Sequence, residues 1–284
     1  MAFILIIIST CSSLAESLFI KRYNAKHGNG GFIFTAMVSL FAMFFFLITD
    51  QNGYSFPEEM IPYAILSGIL YSTASVLTFE ALICGSYVMS MLILSYSLVF
   101  SIIYGLFFLH EPATIYTYLG LVIMLLSLYF TRGRREVSEK KASFKWLICI
   151  TLSVFGSGMY GVMQRVQQIK FNNSCTNEYM VISMALSAIS LFVIGVIKEK
   201  KGALSMIKNG FPYAGSAGLS NGLTNMLSLM VNLMIPLSIA SPTSAGTKII
   251  LSFVLSKLMF KEEFINRQVV GILLGIVSIV LLNI

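Results

Sequence analysis

Long apolar segments, separated by short polar ones, run through the whole chain. Apolar runs of about 17 to 25 residues, bounded by charge, glycine, proline or asparagine, match the length of a helix that crosses a hydrocarbon layer. The runs fall near residues 2–20, 32–49, 61–83, 86–109, 115–131, 145–165, 178–197, 212–234, 238–259 and 267–283. The pattern therefore predicts an all-α, polytopic membrane protein of ten transmembrane helices.

The ten spans divide into two similar halves. The basic connection 132–144 separates residues 1–131 from residues 145–284, and each part holds five spans. The following positions recur in the second half at an offset of 150 or 151 residues: Pro62, Tyr63, Gly68, Ser90, Gly120 and Ser127 meet Pro212, Tyr213, Gly218, Ser241, Gly271 and Ser278. Because five is odd, the second copy must enter the membrane from the opposite side, which predicts two inverted five-helix repeats.

Composition and charge support a membrane protein and predict its orientation. The chain of 284 residues is 57% hydrophobic and 11% charged, against about 25% charged residues in soluble domains. Most lysines and arginines lie in the loops after spans one, five, seven and nine. By the positive-inside rule, the connection 132–144 is cytoplasmic and both termini lie outside the cell membrane. The same distribution accounts for the net charge of +7 without a nucleic-acid partner.

A lysine lies near the centre of the ninth span. A charge at that depth costs about 3 kcal/mol or more and usually faces a cavity or a partner. Ser241 and Ser244 share the helical face of Lys248, and in the first half Ser90 matches Ser241 while Ser97 stands where Lys248 does. Two interpretations are open: Lys248 contacts a carboxylate, a phosphate or a coupling proton, or it forms a structural ion pair.

Two acids inside the spans are candidates both for that ion pair and for proton coupling. At about 1.5 Å per residue, Glu80 and Lys248 differ in depth by roughly 13 Å, which argues against a simple pair between them. Glu16 and Glu80 are also near the basic interface, where Arg22 or Lys257 could pair with them. A coupling carboxylate must load and unload a proton near neutral pH.

A polar stripe follows the eighth span. Asn221, Asn225 and Ser228 fall at i, i+4 and i+7, on one helical face, and Tyr71 and Ser75 occupy corresponding positions in the third span. The stripe either joins helices by hydrogen bonds or presents donors and acceptors to a solute. Both interpretations fit the sequence.

Metal, cofactor and enzyme chemistry have little support in the sequence. The four cysteines form no CxxC pair and the two histidines lie in predicted loops without further ligands, so no metal or cofactor is expected. No nucleophile and base pair, HExxH motif or paired aspartates appear within the spans, which disfavours an intramembrane enzyme.

The ends of the two halves carry a family resemblance. FFLHEPATIYTYLGLVIMLLSLYF from Phe107 and LMFKEEFINRQVVGILLGIVSIVLL from Leu258 each join an apolar helix, an acidic turn and a last helix with glycine. The chain thus resembles the EamA family of the drug/metabolite transporter superfamily. Members carry a proline before a Val-Phe pair in the fourth and ninth helices. Here Leu98 and Ile249 take those places.

The resemblance implies a transporter of small metabolites such as amino acids, working by alternating access without ATP, with spans three, four, eight and nine lining the path. It also implies cytoplasmic termini, in conflict with the charge pattern. We therefore expect a secondary transporter of a small polar, carboxylate-bearing solute in a lipid bilayer, with its oligomeric state open. A lipid-carrier flippase is the first alternative and an intramembrane enzyme the second.

Overall fold

The computed structural model describes residues 1–27, 31–50, 53, 55–84, 90, 93–130, 143–199, 203–255 and 266–282. Most of the predicted basic connection, residues 132–142, lies outside this set. So do Lys257 and the first part of the second family motif, residues 258–265.

Ten helices occupy the described residues, and each overlaps one predicted span. They are α1 (Ala2–His27), α2 (Phe32–Thr49), α3 (Ile61–Cys84), α4 (Leu98–Phe107), α5 (Ile115–Phe130), α6 (Phe144–Lys170), α7 (Thr176–Lys198), α8 (Ala203–Met234), α9 (Leu237–Leu255) and α10 (Asn266–Leu282). The part of the chain that the structure describes contains no β-strand, so the all-α prediction is confirmed there.

Five of these helices are long and apolar enough to cross a membrane. They are α1, α2, α6, α7 and the stretch Ile61–Ala81 of α3. The helices α5 and α10 are also apolar but have only 16 and 17 residues. The structure therefore supports a multi-pass membrane protein, while a crossing by all ten helices stays a prediction.

Three helices extend well beyond their predicted spans, and the first of them, α1, continues to His27, seven residues past its predicted end. Helix α6 continues to Lys170, five residues past the predicted end, and α8 begins at Ala203, nine residues before Pro212. The predicted spans end where charged and polar residues become frequent, as they do after residue 20, after residue 165 and before residue 212. The backbone hydrogen bonds of a helix do not depend on hydropathy, so the helix continues into the polar sequence.

The fourth span was predicted as one helix over 86–109, and its described part is interrupted. The amides of Tyr96 and Ser97 donate to carbonyls three residues earlier, those of Ile93 and Leu94. This is the tighter 3₁₀ pattern, and α4 begins directly after it. Residues 85–89 and 91–92 lie outside the described set.

The structure divides into two compact units. Unit 1 comprises residues 1–10, 77–162 and 230–284, and unit 2 comprises 11–76 and 163–229. Each unit takes residues from both sequence halves, so the units are not the predicted repeats 1–131 and 145–284. The repeats themselves stay a prediction.

In unit 1, α5 and α10 are joined by two matching hydrogen bonds. Ser127 Oγ donates to the carbonyl of Gly271 at 2.6 Å, and Ser278 Oγ donates to the carbonyl of Gly120 at 2.7 Å. Each bond links an early residue of one helix to a late residue of the other, so the helices are antiparallel. The four residues are two pairs that recur in the sequence at an offset of 151, and the contact is thus reciprocal.

Unit 2 contains a second reciprocal contact, formed by glycines of α3 and α8. A Cβ on Gly68 would lie 2.8 Å from the carbonyl oxygen of Ser183 in α7, and a Cβ on Gly218 would lie 2.6 Å from that of Val38 in α2. Gly68 and Gly218 are 150 positions apart in the sequence, and the residues that they approach, Ser183 and Val38, are 145 positions apart. The third helix therefore meets the seventh in the way that the eighth meets the second. Both glycines are thus needed for close helix approach.

Gly218→Ala is expected to lower the melting temperature of the purified protein. The added methyl would enter space already filled by α2, and overpacking of this kind typically costs about 1–3 kcal/mol. The control is Gly215→Ala on the same helix, where the new Cβ would meet the Phe41 ring at an ordinary 3.6 Å. Thermal unfolding in detergent compares them. Equal melting temperatures for the two variants would contradict the close contact.

Candidate functional site

A chain of hydrogen-bonded polar side chains joins α6, α8 and α1 in unit 2. Gln164 Nε2 donates to Asn225 Oδ1 at 3.2 Å, and Asn225 Nδ2 donates to Asn221 Oδ1 at 3.0 Å. Asn221 Nδ2 in turn donates to Glu16 Oε1 at 3.1 Å. We call these four residues the amide chain. Three amides and a carboxylate from three helices are therefore brought together within the apolar part of the protein.

The amide chain has one direction. Each amide N–H₂ donates toward Glu16, so the aligned dipoles strengthen one another and converge on a carboxylate. Gln164 is buried, whereas Glu16, Asn221 and Asn225 are half-buried. The anionic end of the chain is consequently the end with accessible surface.

The predicted residues of the third span lie in the same unit. Tyr71 is close enough to Glu16 for an electrostatic interaction. The Ser75 hydroxyl donates to the carbonyl of Tyr71 at 2.9 Å, a bond within its own helix. Ser228 is half-buried on α8. Tyr71 therefore joins the surroundings of the amide chain, while the hydroxyl of Ser75 is used locally.

Gln164 was missed by the sequence interpretation. The signal was present, because Gln164, Gln167 and Gln168 stand at i, i+3 and i+4 and so share a helical face. All three are buried. Gln168 Nε2 donates to the carbonyl of Leu229 at 2.8 Å, a second link between α6 and α8. The predicted span ended at residue 165, so two of the three glutamines were placed in a loop.

Lys248 and its neighbouring serines lie in unit 1. The Lys248 side chain is exposed on α9, and Ser241 and Ser244 are half-buried on the same helix. Ser97 is half-buried in the turn that precedes α4. The sequence-predicted lysine thus has accessible surface, as a group that contacts solute must have.

Ser90 has a different environment from the other serines. It is fully buried, and its hydroxyl accepts a hydrogen bond from the indole Nε1 of Trp146 at 2.9 Å. This bond connects the segment before α4 to the start of α6. Ser90 therefore has a packing contact, and its role in solute binding stays a prediction.

Glu80 forms an ion pair with Lys145, the second residue of α6. The Lys145 Nζ to Glu80 Oε2 distance is 2.9 Å, and the lysine side chain is 64% exposed against 21% for the glutamate. Lys257, a predicted partner, lies outside the described residues. Solvent-exposed ion pairs of this kind contribute little to stability.

A carboxylate from the segment after α4 fixes the start of the lysine-bearing helix. The two oxygens of Glu111, which follows α4, accept hydrogen bonds from the backbone amides of Leu237 and Ser238, each at 2.8 Å. These amides would otherwise lack partners, and the negative charge complements the helix dipole. Glu111 thereby anchors the first turn of α9, the helix of Lys248.

Metal-ligand chemistry finds no support in the described ranges. They contain no group of three or more histidine, cysteine or acidic side chains that could hold a metal ion. The four cysteines are all free thiols.

Comparisons with known proteins identify the family and the fold. Residues 1–133 match the model of the EamA-like transporter family. A protein crystal structure, one of 28 matching chains, shares the fold with a TM-score of 0.70 and 12% sequence identity, covering 99% of this chain and 98% of its own. No curated protein matches the chain significantly. The match over residues 1–133 is to a family of the drug/metabolite transporter superfamily, and it confirms the resemblance seen in the sequence.

Proposed function

We propose that this membrane transporter moves a small polar metabolite, an amino acid or another carboxylate-bearing solute, by alternating access without ATP. The family supports transport. The observation that carries the choice of a polar solute is the amide chain, which presents amides and a carboxylate within apolar helices. Polar groups at membrane depth are costly, and they commonly mark solute or ion pathways.

Two groups of side chains are proposed to bind solute, one in each unit. In unit 2 they are Asn221, Asn225, Ser228, Tyr71 and Ser75, and in unit 1 they are Lys248, Ser241, Ser244, Ser90 and Ser97. Amides and hydroxyls supply donors and acceptors to a polar solute. The ammonium of Lys248 is the natural complement of a carboxylate, since charge-assisted hydrogen bonds are about twice as strong as neutral ones.

Glu16 is the better of the two candidates for proton coupling. Glu80 already pairs with a lysine that is mostly exposed. Glu16 is half-buried, and its hydrogen-bond donor in the amide chain is a neutral amide. Protonation of Glu16 would weaken the carboxylate as the acceptor of the hydrogen bond from Asn221. The charge of Glu16 is thereby coupled to the hydrogen bonding of the proposed binding residues.

The two halves are proposed to be inverted five-helix repeats that move against each other. Support comes from the reciprocal contacts, Ser127 and Ser278 in unit 1 and Gly68 and Gly218 in unit 2. The positive-inside rule supports external termini in the cell membrane. A reporter that is active only in the cytoplasm should stay inactive when it is fused after Ile284, and activity would overturn this orientation.

The transport proposal is tested with purified protein in liposomes. We expect saturable counterflow of at least one labelled solute from panels of amino acids and organic acids, and a stimulation of net uptake by an imposed pH gradient. Empty liposomes are the control. Absence of counterflow across both panels, together with movement of a lipid-linked sugar, would overturn the proposal in favour of a flippase.

A further inference from the structure

An apolar groove runs along the surface of unit 2, between α2, α7 and the first part of α8. Its volume is about 460 Å³, within the usual range of ligand sites. The following side chains line it: Ala36, Met37, Leu40, Phe41, Phe44, Ala188, Ile189, Phe192, Val193, Ile207 and Phe211. None of them carries a polar group, so the groove suits a hydrocarbon chain. Two of its helices, α2 and α7, are among those able to cross a membrane.

One end of the groove carries positive charge. Lys208 directly follows the lining residue Ile207 on α8, and Lys198 lies five residues beyond Val193 on α7; both lysines are exposed. The ammonium of Lys198 lies 5.1 Å from the ring centre of Phe32, one helical turn before the lining of α2 begins. The three helix ends therefore bring two cations to the same end of the groove, together with the carboxylate of Glu199, which accepts hydrogen bonds from the amides of Phe32 and Ile33. The two lysines and this one carboxylate leave a net positive charge.

The beginning of α8 is held against the beginning of α2, which keeps the groove and its charged end together. A Cβ on Gly210 would lie 3.0 Å from Met37 Cε and 3.1 Å from the ring of Phe34. Gly210 follows Lys208 by two residues. The backbone at Lys208 is thus held beside the groove by close packing of its neighbour Gly210.

We propose that this groove binds one anionic phospholipid, with an acyl chain along the apolar lining and the phosphate at Lys198 and Lys208. An apolar trough alone would accept any alkyl chain. The paired cations at one end select a lipid whose headgroup carries net negative charge, because basic residues at a membrane surface attract anionic lipids. The site is separate from the amide chain, and the proposal does not depend on the nature of the transported solute.

Native mass spectrometry of delipidated protein tests this proposal. Phosphatidylglycerol and phosphatidylcholine with identical acyl chains are added separately. We expect one retained phosphatidylglycerol at concentrations about tenfold below those needed for phosphatidylcholine. The double variant with Lys198→Ala and Lys208→Ala is expected to lose this preference. The matched control removes two exposed lysines of α1, Lys21→Ala with Lys26→Ala, and should keep it.

A second variant separates the groove from simple surface charge. Val193→Trp fills the groove at a position that is 52% exposed, so the larger ring can be accommodated without disturbing the core. Retention of phosphatidylglycerol should fall at least about fivefold. Unchanged retention, an equal affinity of the unmodified protein for both lipids, or a dimer that Val193→Trp dissociates would each overturn the proposal. Melting temperatures confirm that the variants are folded.

Discussion

Asn225→Ala is expected to reduce solute counterflow at least about tenfold. Asn225 is the middle of the amide chain, accepting from Gln164 and donating to Asn221. Its removal takes a hydrogen-bond partner from both Gln164 and Asn221. An unsatisfied buried polar group costs about 1–3 kcal/mol. A change of about 1.4 kcal/mol corresponds to a tenfold change in an equilibrium constant. Initial rates in liposomes, measured over a range of solute concentrations, give the change in KM and in maximal rate.

Asn209→Ala is the matched control for that variant. Asn209 lies on the same helix, is exposed, and donates to the hydroxyl of Ser205 at 3.2 Å. Its loss should leave counterflow within about twofold, since surface substitutions have small effects. If Asn225→Ala lowers the melting temperature but transports normally per folded molecule, the amide chain is structural and the proposed site is wrong.

Lys248→Ser is expected to reduce transport of a carboxylate-bearing solute by roughly 10 to 100-fold. The estimate follows from about 1.5–3 kcal/mol for a hydrogen bond to a charged group. The substitution places at position 248 the residue that the first half carries at the matching position, Ser97. Counterflow of a solute and of its amide, which lacks the carboxylate charge, distinguishes loss of charge recognition from general damage. The amide should be affected much less.

A second substitution makes the test of Lys248 specific. Adding Ser97→Lys to Lys248→Ser moves the cation to the matching position, which lies in the same unit, and should restore part of the lost transport. Lys248→Arg keeps the charge and is expected to retain most activity. If the solute and its amide are affected equally, and the added lysine restores nothing, then Lys248 has a structural role.

Helices could be located from the sequence because their signal is local. A helix that crosses a bilayer requires about 20 predominantly apolar residues in a row. Such a run can be recognised in the sequence without knowing which other helices pack against it. The ends were less accurate, as at Lys170 and Ala203, because hydropathy changes before the helix does. The turn at Tyr96 and Ser97 was also missed, since serine and tyrosine are common within membrane helices and neither breaks one.

The candidate site was predicted only in part, and the reason is geometric. The sequence placed Asn221 and Asn225 on one face because their spacing is a property of a single helix. It could not show that Glu16 and Gln164 complete the chain, because those contacts depend on how α1 and α6 pack against α8. The same holds for the partners of Glu80 and Ser90, which are Lys145 and Trp146.

The reciprocal contacts have a consequence for how selectivity can evolve. A dimer of two identical five-helix proteins would present the same side chain at both equivalent positions. In the proposed repeat architecture the two halves are encoded separately within one chain, so Ser127 and Ser278 can stay alike while Ser97 and Lys248 differ. Two halves that pack in the same way can then carry a charged side chain, that of Lys248, in only one of them. A solute that is itself asymmetric can therefore be bound in one orientation rather than in two.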